Sequence, residues 1–198
     1  MVTTPVINEP FTKIAMDIAG PLNRTKSGKK YILTIIDHST RYPEAFVLTE
    51  INAKSVANAL IELFSRVGLP KIILTDQGSN FKSKLLKELY EMVNIQSITT
   101  SPYTPQSNGC VERFNGTLKS VLKKLCTENT NEWDELLPFV LFACIQVPHE
   151  ETGFVPFELL YGWPLRGPTQ LFEGLMTGED ETQKSVIETC RENTLLSC

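Results

Sequence analysis

The spacing of hydrophobic and polar residues changes period along the chain, and each change marks a different kind of element. Lys13 to Ile18 is a short apolar run halted by Gly20 and Pro21, which predicts a first strand. Tyr31 to Ile36 places Ile and Leu on both faces, as a strand buried on both sides requires. Pro43 to Leu48 is a third strand, and the short turns between the three predict antiparallel pairing. From Ala53 the period lengthens. Val56, Ala59, Leu60, Leu63, Phe64 and Val67 recur at helical spacing, and Gly68 and Pro70 end the helix. Ile72 to Thr75 is a short buried strand. Lys82 to Val93 is a second helix with Leu85, Leu86, Leu89 and Met92 on one side, and Ile95 to Thr99 is a fifth strand.

Thr100 to Asn108 has two prolines and no apolar period, so it reads as a loop. The remaining periods are helical. Gly109 to Leu125 directs Val111, Phe114, Leu118, Val121, Leu122 and Leu125 inward, and Trp133 to Val147 and Phe157 to Tyr161 follow. Three antiparallel strands, then helix, strand, helix, strand, then helices, predict an α/β domain with a mixed sheet. Residues 1–9 read as an extended lead-in, 10–168 as the folded core, and 169–198 as an acidic tail expected to fray.

Composition sharpens this picture by exclusion. The chain has 198 residues, 41% hydrophobic and 21% charged, which rules out wholesale disorder, collagen-like repetition and coiled coil. The longest apolar run, Leu136 to Ile145 with Pro138 inside it, is too short to span a bilayer. No basic segment followed by an apolar one opens the chain, so the expected location is intracellular, nucleus or cytoplasm, and not secreted. Two glycosylation sequons, at Asn23 and Asn115, are read as chance on the same ground. The net charge of −4 is local: residues 173–198 hold six acids and two bases, so residues 1–172 sum to zero. A neutral core with local basic patches still permits a nucleic-acid partner. The five cysteines are widely spaced and form no CxxC pair, and only His38 and His149 are present. Neither a zinc cluster nor a disulfide framework is supported, which fits a reducing compartment.

Three acids stand where a catalytic site would be built. Asp17 lies near the end of the first strand, Asp76 directly after the fourth, and Glu112 in the first turns of the helix after the long loop. Strand ends and helix starts gather at one edge of a sheet. Mg²⁺ prefers oxygen ligands, and two such ions about 4 Å apart serve both the attacking and the leaving oxygen in phosphoryl transfer. The chain has 23 acids, however, and position alone leaves open that these three are ordinary solvated or capping residues.

The strings around these acids narrow the choice. They are AMDIAGPL (15–22), ILTDQGSNF (73–81) and SPYTPQSNGCVERFNGTLK (101–119), with IIDHSTRYPEAF (35–46) and TGFVPFELLYGWPLRGP (152–168) further along. Together they resemble the catalytic core of retroviral and gypsy-type long-terminal-repeat retrotransposon integrases, from about Pro10 to Pro168. The resemblance implies a ribonuclease-H-like α/β fold, a five-stranded mixed sheet flanked by helices. It implies DNA integration by a polynucleotidyl transferase and endonuclease that processes DNA 3′ ends and joins them to target DNA with Mg²⁺ or Mn²⁺, two ions in all. The family's acidic triad falls on Asp17, Asp76 and Glu112, as catalytic residues and metal ligands.

Around the triad, Tyr103, Gln106 and Asn108 are candidates for DNA contact near the scissile phosphate, with Asn108 also a candidate helix cap. The family often has His where this chain has Thr104. Lys119 lies two helical turns beyond Glu112 and Lys123 one turn further, a row able to hold a DNA backbone. Asn115 offers either DNA contact or helix packing. Arg113, which faces away from Glu112, suits an ion pair or a cap. The basic turn from Arg24 to Lys30 reads as a solvated hairpin. Asp37, His38 and Ser39 are strand neighbours that alternate faces and form no triad. Asp37 is expected to support the strand end near the carboxylates, His38 to serve as a structural hydrogen-bonder, and Trp133 and Trp163 to pack in the core or a lid. Gly78 and Gly109 read as backbone devices at turns.

The family's amino-terminal zinc module and carboxy-terminal DNA-binding module have no counterpart in this sequence, which reads as an isolated, truncated or host-retained core. A non-catalytic domain kept for binding nucleic acid or protein is the alternative. The family works as dimers or larger multimers, and Trp133 to Val147 is apolar over more of its circumference than one domain buries, which predicts a homodimer or higher multimer.

Overall fold

The computed structural model describes residues 9–76, 78, 81–99, 109–126 and 131–167. Five strands form one sheet: β1 (Lys13–Ala19), β2 (Tyr31–Asp37), β3 (Pro43–Leu48), β4 (Ile72–Thr75) and β5 (Gln96–Thr99), in the order β3-β2-β1-β4-β5. β1, β2 and β3 pair antiparallel, while β4 runs parallel to β1 and β5 parallel to β4. The mixed sheet expected from element order is therefore present. The helices are α1 (Ala53–Val67), α2 (Lys84–Met92), α3 (Gly109–Leu125), α4 (Trp133–Gln146) and α5 (Pro156–Tyr161).

Strand parity assigns the two faces of the sheet. Ile14 and Met16 of β1, Leu33 and Ile35 of β2 and Ile73 of β4 pack with Val56, Leu60 and Leu63 of α1 and Leu86 and Tyr90 of α2. The other face carries Ala15 and Ala19 of β1, Ile32 and Ile36 of β2 and Leu74 of β4, against α3 and α4. Small residues on β1 let α3 come close on that side. A close helix brings its polar side chains within bonding distance of the sheet.

Caps fix the helix ends. The Asn52 side chain accepts the Ser55 N–H at 2.8 Å, and Gly68 closes α1 at φ 85° with its N–H on the Phe64 carbonyl. Ser83 caps α2 by accepting the Leu86 N–H, so α2 starts at Lys84 and not at Lys82. Leu86 and Tyr90 of α2 are buried, whereas Leu85 is exposed and Met92 is 82% exposed, contrary to the expected single apolar side. Leu125, at the last turn of α3, is likewise exposed. Trp163 is 61% exposed and is no core residue.

The turn between β1 and β2 is docked rather than solvated. Trp133, buried at the start of α4, donates its indole N–H to the Asn23 carbonyl at 2.7 Å. The Lys26 N–H donates to the Asn131 carbonyl at 3.1 Å, its ammonium pairs with Glu132, and the Ser27 hydroxyl meets Asp134. This clasp ties the basic turn to the first turn of α4. Asp37 is fully buried and accepts the Phe11 N–H at 3.0 Å and the Thr40 N–H and hydroxyl at 2.9 and 2.7 Å. It lies opposite Ile14, at the far end of β1 from Asp17, so it supports a strand end away from the carboxylates. His38 contributes a backbone bond, its N–H donating to the Lys13 carbonyl at 2.9 Å.

The clasp generates one prediction. Trp133→Phe keeps an aromatic ring but leaves the Asn23 carbonyl without its donor, a loss of about 1–3 kcal/mol. Urea unfolding of parent and variant measures it, and an unchanged midpoint would remove the indole bond from the account of the fold.

Candidate active site

Asp17 sits on β1 directly opposite Thr34 of β2, so the two side chains share the α3 face of the sheet. Asp17 Oδ1 accepts the Ile18 N–H at 2.7 Å, and Oδ2 accepts the Asn115 side-chain amide at 2.8 Å. Asn115 is buried in α3, and its own Oδ1 receives the Thr34 hydroxyl at 2.8 Å. Asp76 follows β4 at the adjacent position of the same edge, since β4 pairs in parallel with β1 and Met16 stands beside Thr75. Its Oδ1 accepts the Gly78 N–H at 2.9 Å. A Cβ at Gly78 would lie 2.9 Å from that oxygen, so glycine is what lets the backbone approach the carboxylate. Glu112 is exposed on the first turn of α3.

Electrostatics link the three. Burial pushes the Asp17 carboxyl above its ordinary range; the Ile18 N–H and Asn115 amide oppose this, and the negative charges of Asp76 and Glu112 add to it. Asp17 thus stands within the field of the other two acids. Among the described residues, no group of three or more acidic, His or Cys side chains is drawn close enough to hold a metal ion. The donor chemistry nevertheless suits a hard divalent cation. All three groups are carboxylates, and a cation would neutralise the repulsion at Asp17.

Lys119 and Lys123 are exposed on α3, on the same side as Glu112 and leading away from it. Tyr103, Gln106 and Asn108 lie outside the described residues. Arg113 pairs with Glu151, which also accepts Arg41 at 2.8 Å. That bridge joins the first turn of α3 to the turn between β2 and β3 and to the loop before α5. Thr34 is a site residue that sequence reasoning left unassigned, and Asn115, read there as DNA contact or helix packing, is bonded instead to Asp17 and Thr34. Their signal was polarity in the wrong place: Thr34 interrupts a buried strand and Asn115 an apolar helical stripe.

A family model described as "Integrase core domain" matches residues 7–105. The chain belongs to the integrase core family. Across 163 residues it is 28% identical to the retrovirus-related Pol polyprotein from transposon 412 of Drosophila melanogaster, covering 82% of this chain and 13% of that protein. Across 139 residues it is 37% identical to the Pol polyprotein of radiation murine leukemia virus (strain Kaplan), covering 69% of this chain and 24% of that one. The chain thus spans a minor part of these relatives. Among solved structures, the simian T-cell lymphotropic virus intasome in complex with the PP2A regulatory subunit B56 gamma superposes with a TM-score of 0.67 at 23% identity, over 80% of this chain and 59% of that one. The HTLV-2 integrase catalytic core in complex with magnesium, in its trimeric form, gives 0.63 at 21% identity, over 77% and 97%. The integrase core has the ribonuclease-H-like fold that the resemblance implied.

The raised Asp17 pKa has a consequence with a definite sign. Between the unfolded value of 3.8 and the higher folded value, the folded chain keeps a proton that the unfolded chain has released. Stability from this group is therefore present at low pH and lost as pH rises through that window. Asp17→Asn does not titrate, so its unfolding temperature should gain on that of the metal-free parent as pH rises from the unfolded value of 3.8 through the higher folded value. A difference independent of pH would mean that Asp17 titrates as an ordinary carboxylate.

Proposed function

We propose that this chain is a DNA integration catalyst: a polynucleotidyl transferase core that cleaves DNA near its 3′ ends and joins those ends to target DNA. The observation that carries the reading is the half-buried Asp17, bonded through Asn115 and lying in the field of Asp76 and Glu112, within a chain of the integrase core family. Asp17, Asp76 and Glu112 would hold Mg²⁺ or Mn²⁺, two ions. The magnesium of the HTLV-2 core supports this choice of metal. Such ions lower the pKa of an attacking water or hydroxyl and neutralise phosphate oxygens.

The protein's own contribution is placement. Asp17 is fixed by two donors on a rigid strand, and Asp76 by the Gly78 amide beside it. Glu112 is carried, exposed, on the first turn of a long helix. In the end-processing step a water oxygen bonds to phosphorus as the bond to the departing 3′ oxygen breaks. In joining, the freed 3′ hydroxyl takes the place of the water. In each step the attacking oxygen gives up a proton and the leaving oxygen gains one. Lys119 and Lys123 would hold the DNA backbone along α3, with Tyr103, Gln106 and Asn108 contacting DNA near the scissile phosphate.

The test is cleavage and joining on branched DNA with Mg²⁺ or Mn²⁺. The parent should show divalent-dependent product, and Asp76→Asn should lower it by a factor of 100 or more, since about 3 kcal/mol of transition-state stabilisation is lost with an ionic ligand. Equal activity in the two proteins, or none in either with DNA binding retained, would favour the non-catalytic binding domain instead.

The same reading includes assembly on DNA as a homodimer or higher multimer. On α4, Trp133, Leu137, Val140 and Ile145 are buried, while Phe139 is 71% exposed and Phe142 is also exposed. α5 does not cover Phe139. A second copy of this chain is the proposed partner for that face, supported by the dimeric and trimeric forms of the HTLV-2 core. Sedimentation at micromolar concentration should show a dimer that Phe139→Lys converts to monomer. A monomeric parent would overturn this assignment.

A further inference from the structure

Asp17 is surrounded by a hydrogen-bonded unit that reaches across three elements. A carboxylate only accepts hydrogen bonds, so the Asn115 nitrogen must face Asp17 Oδ2, and its oxygen must therefore face Thr34. The Thr34 hydroxyl is fully buried, lies 2.8 Å from that oxygen, and has the Asp17 backbone carbonyl 3.1 Å away as a second acceptor. Its place is set by sheet register, directly opposite Asp17. The place of Asn115 is set by α3, whose neighbouring Val111 and Leu118 are fully buried. Neither residue is free to move, and between them they leave the amide one orientation.

We propose that Thr34 and Asn115 are positioning residues that fix the direction of the Asp17 carboxylate: Thr34 orients the Asn115 amide, and the amide holds Oδ2. The need for them lies in the charges nearby. Asp76 and Glu112 both repel Asp17. A carboxylate with free side-chain torsions would turn away from them when no cation is present. The Ile18 N–H holds Oδ1 and Asn115 holds Oδ2, so one lone pair remains on each oxygen and the group stays aimed at the sheet edge. The site is thereby set before any ion arrives, as outer partners do for ligands in metal centres.

For its consequence this inference rests on the reading of Asp17 as a metal ligand, but its geometry does not, and the experiment separates the two. Thr34→Val is isosteric and removes only the donor. Thr34→Ser keeps it. Asn115→Leu removes the amide, and if that variant fails to fold, the Thr34 pair carries the test. Titration calorimetry of the full chain with Mn²⁺ alone should show binding about tenfold weaker or more in Thr34→Val and Asn115→Leu, with Thr34→Ser within about threefold of the parent. Crystal structures of the metal-free proteins should show the Asp17 carboxylate turned in Thr34→Val and held in Thr34→Ser. Parent-like Mn²⁺ binding by Thr34→Val would overturn the proposal. So would equal weakening by Thr34→Ser, which would make the effect one of packing. Asp17→Asn is the control on the wider reading. If it binds Mn²⁺ as the parent does, the metal assignment fails, and the metal-free structures alone judge the positioning role. An unturned Asp17 in Thr34→Val then refutes it.

Discussion

A carboxylate half-buried on the face of a β-sheet must be given partners, and the architecture around Asp17 follows from that requirement. An unpaired buried charge costs several kcal/mol, which a domain of this size cannot spare. The cost is met by two donors, the Ile18 N–H and the Asn115 amide. The second is available only because α3 lies close to β1, and α3 lies close because β1 presents Ala15 and Ala19 on that side. Small residues in the strand, a polar residue in the helical stripe and a hydroxyl on the neighbouring strand thus form one solution to one electrostatic problem. The solution is incomplete: Asp17 still sits above its ordinary pKa. Unfavourable charge held in this way costs stability.

The two faces of the sheet divide the labour. Toward α1 and α2 the packed residues are mostly apolar, and Ile14, Met16, Leu33, Ile35, Leu60, Leu63 and Ile73 are fully buried. This face holds the sheet together. The α3 side carries the candidate site, and α3 is anchored at both ends. Near its start the Arg113–Glu151–Arg41 bridge ties it to two loops. Beyond its end, Cys126, Trp133 and Leu137 pack together, and the clasp on the β1–β2 turn holds α4 in place. Surface ion pairs of this kind contribute little individually. Their value is geometric, since α3 carries Glu112, Asn115 and the lysine row on one rigid body.

Much of this was legible in the sequence because periodicity reports which side of an element is dry. Strand and helix positions followed directly, down to α1 and β4 with unchanged bounds. The errors were at ends. Leu125 and Met92 fit a helical stripe by spacing, yet each is the last residue of its helix and exposed; a period records direction around an axis, not what lies beside it. Trp163 was assigned to packing by residue type alone, and Asp37 to the wrong strand end, because alternation does not say which strand lies alongside. The turn from Arg24 to Lys30 reads as solvated locally, and only the distant Trp133 reveals that it is docked. The acids were selected by resemblance; spacing alone left them among many.

Asn115 shows why part of the site could not be read locally. In the sequence it is a polar residue in an apolar stripe, consistent with packing or with DNA contact. Its role depends on three facts from three places: Asp17 opposite Thr34, α3 on that face, and α3 rotated to point Asn115 at the pair. The first fact controls the rest. Side chains on a strand alternate, so slipping β1 by one residue would drive Asp17 into the apolar face held by Ile14 and Met16 and expose those residues to the α3 side. The core therefore enforces the register that the site requires. Correct packing of Ile14 and Met16 and correct aim of Asp17 are a single structural event, which is how a carboxylate can be placed with precision by a core of buried apolar residues that make no hydrogen bond to it.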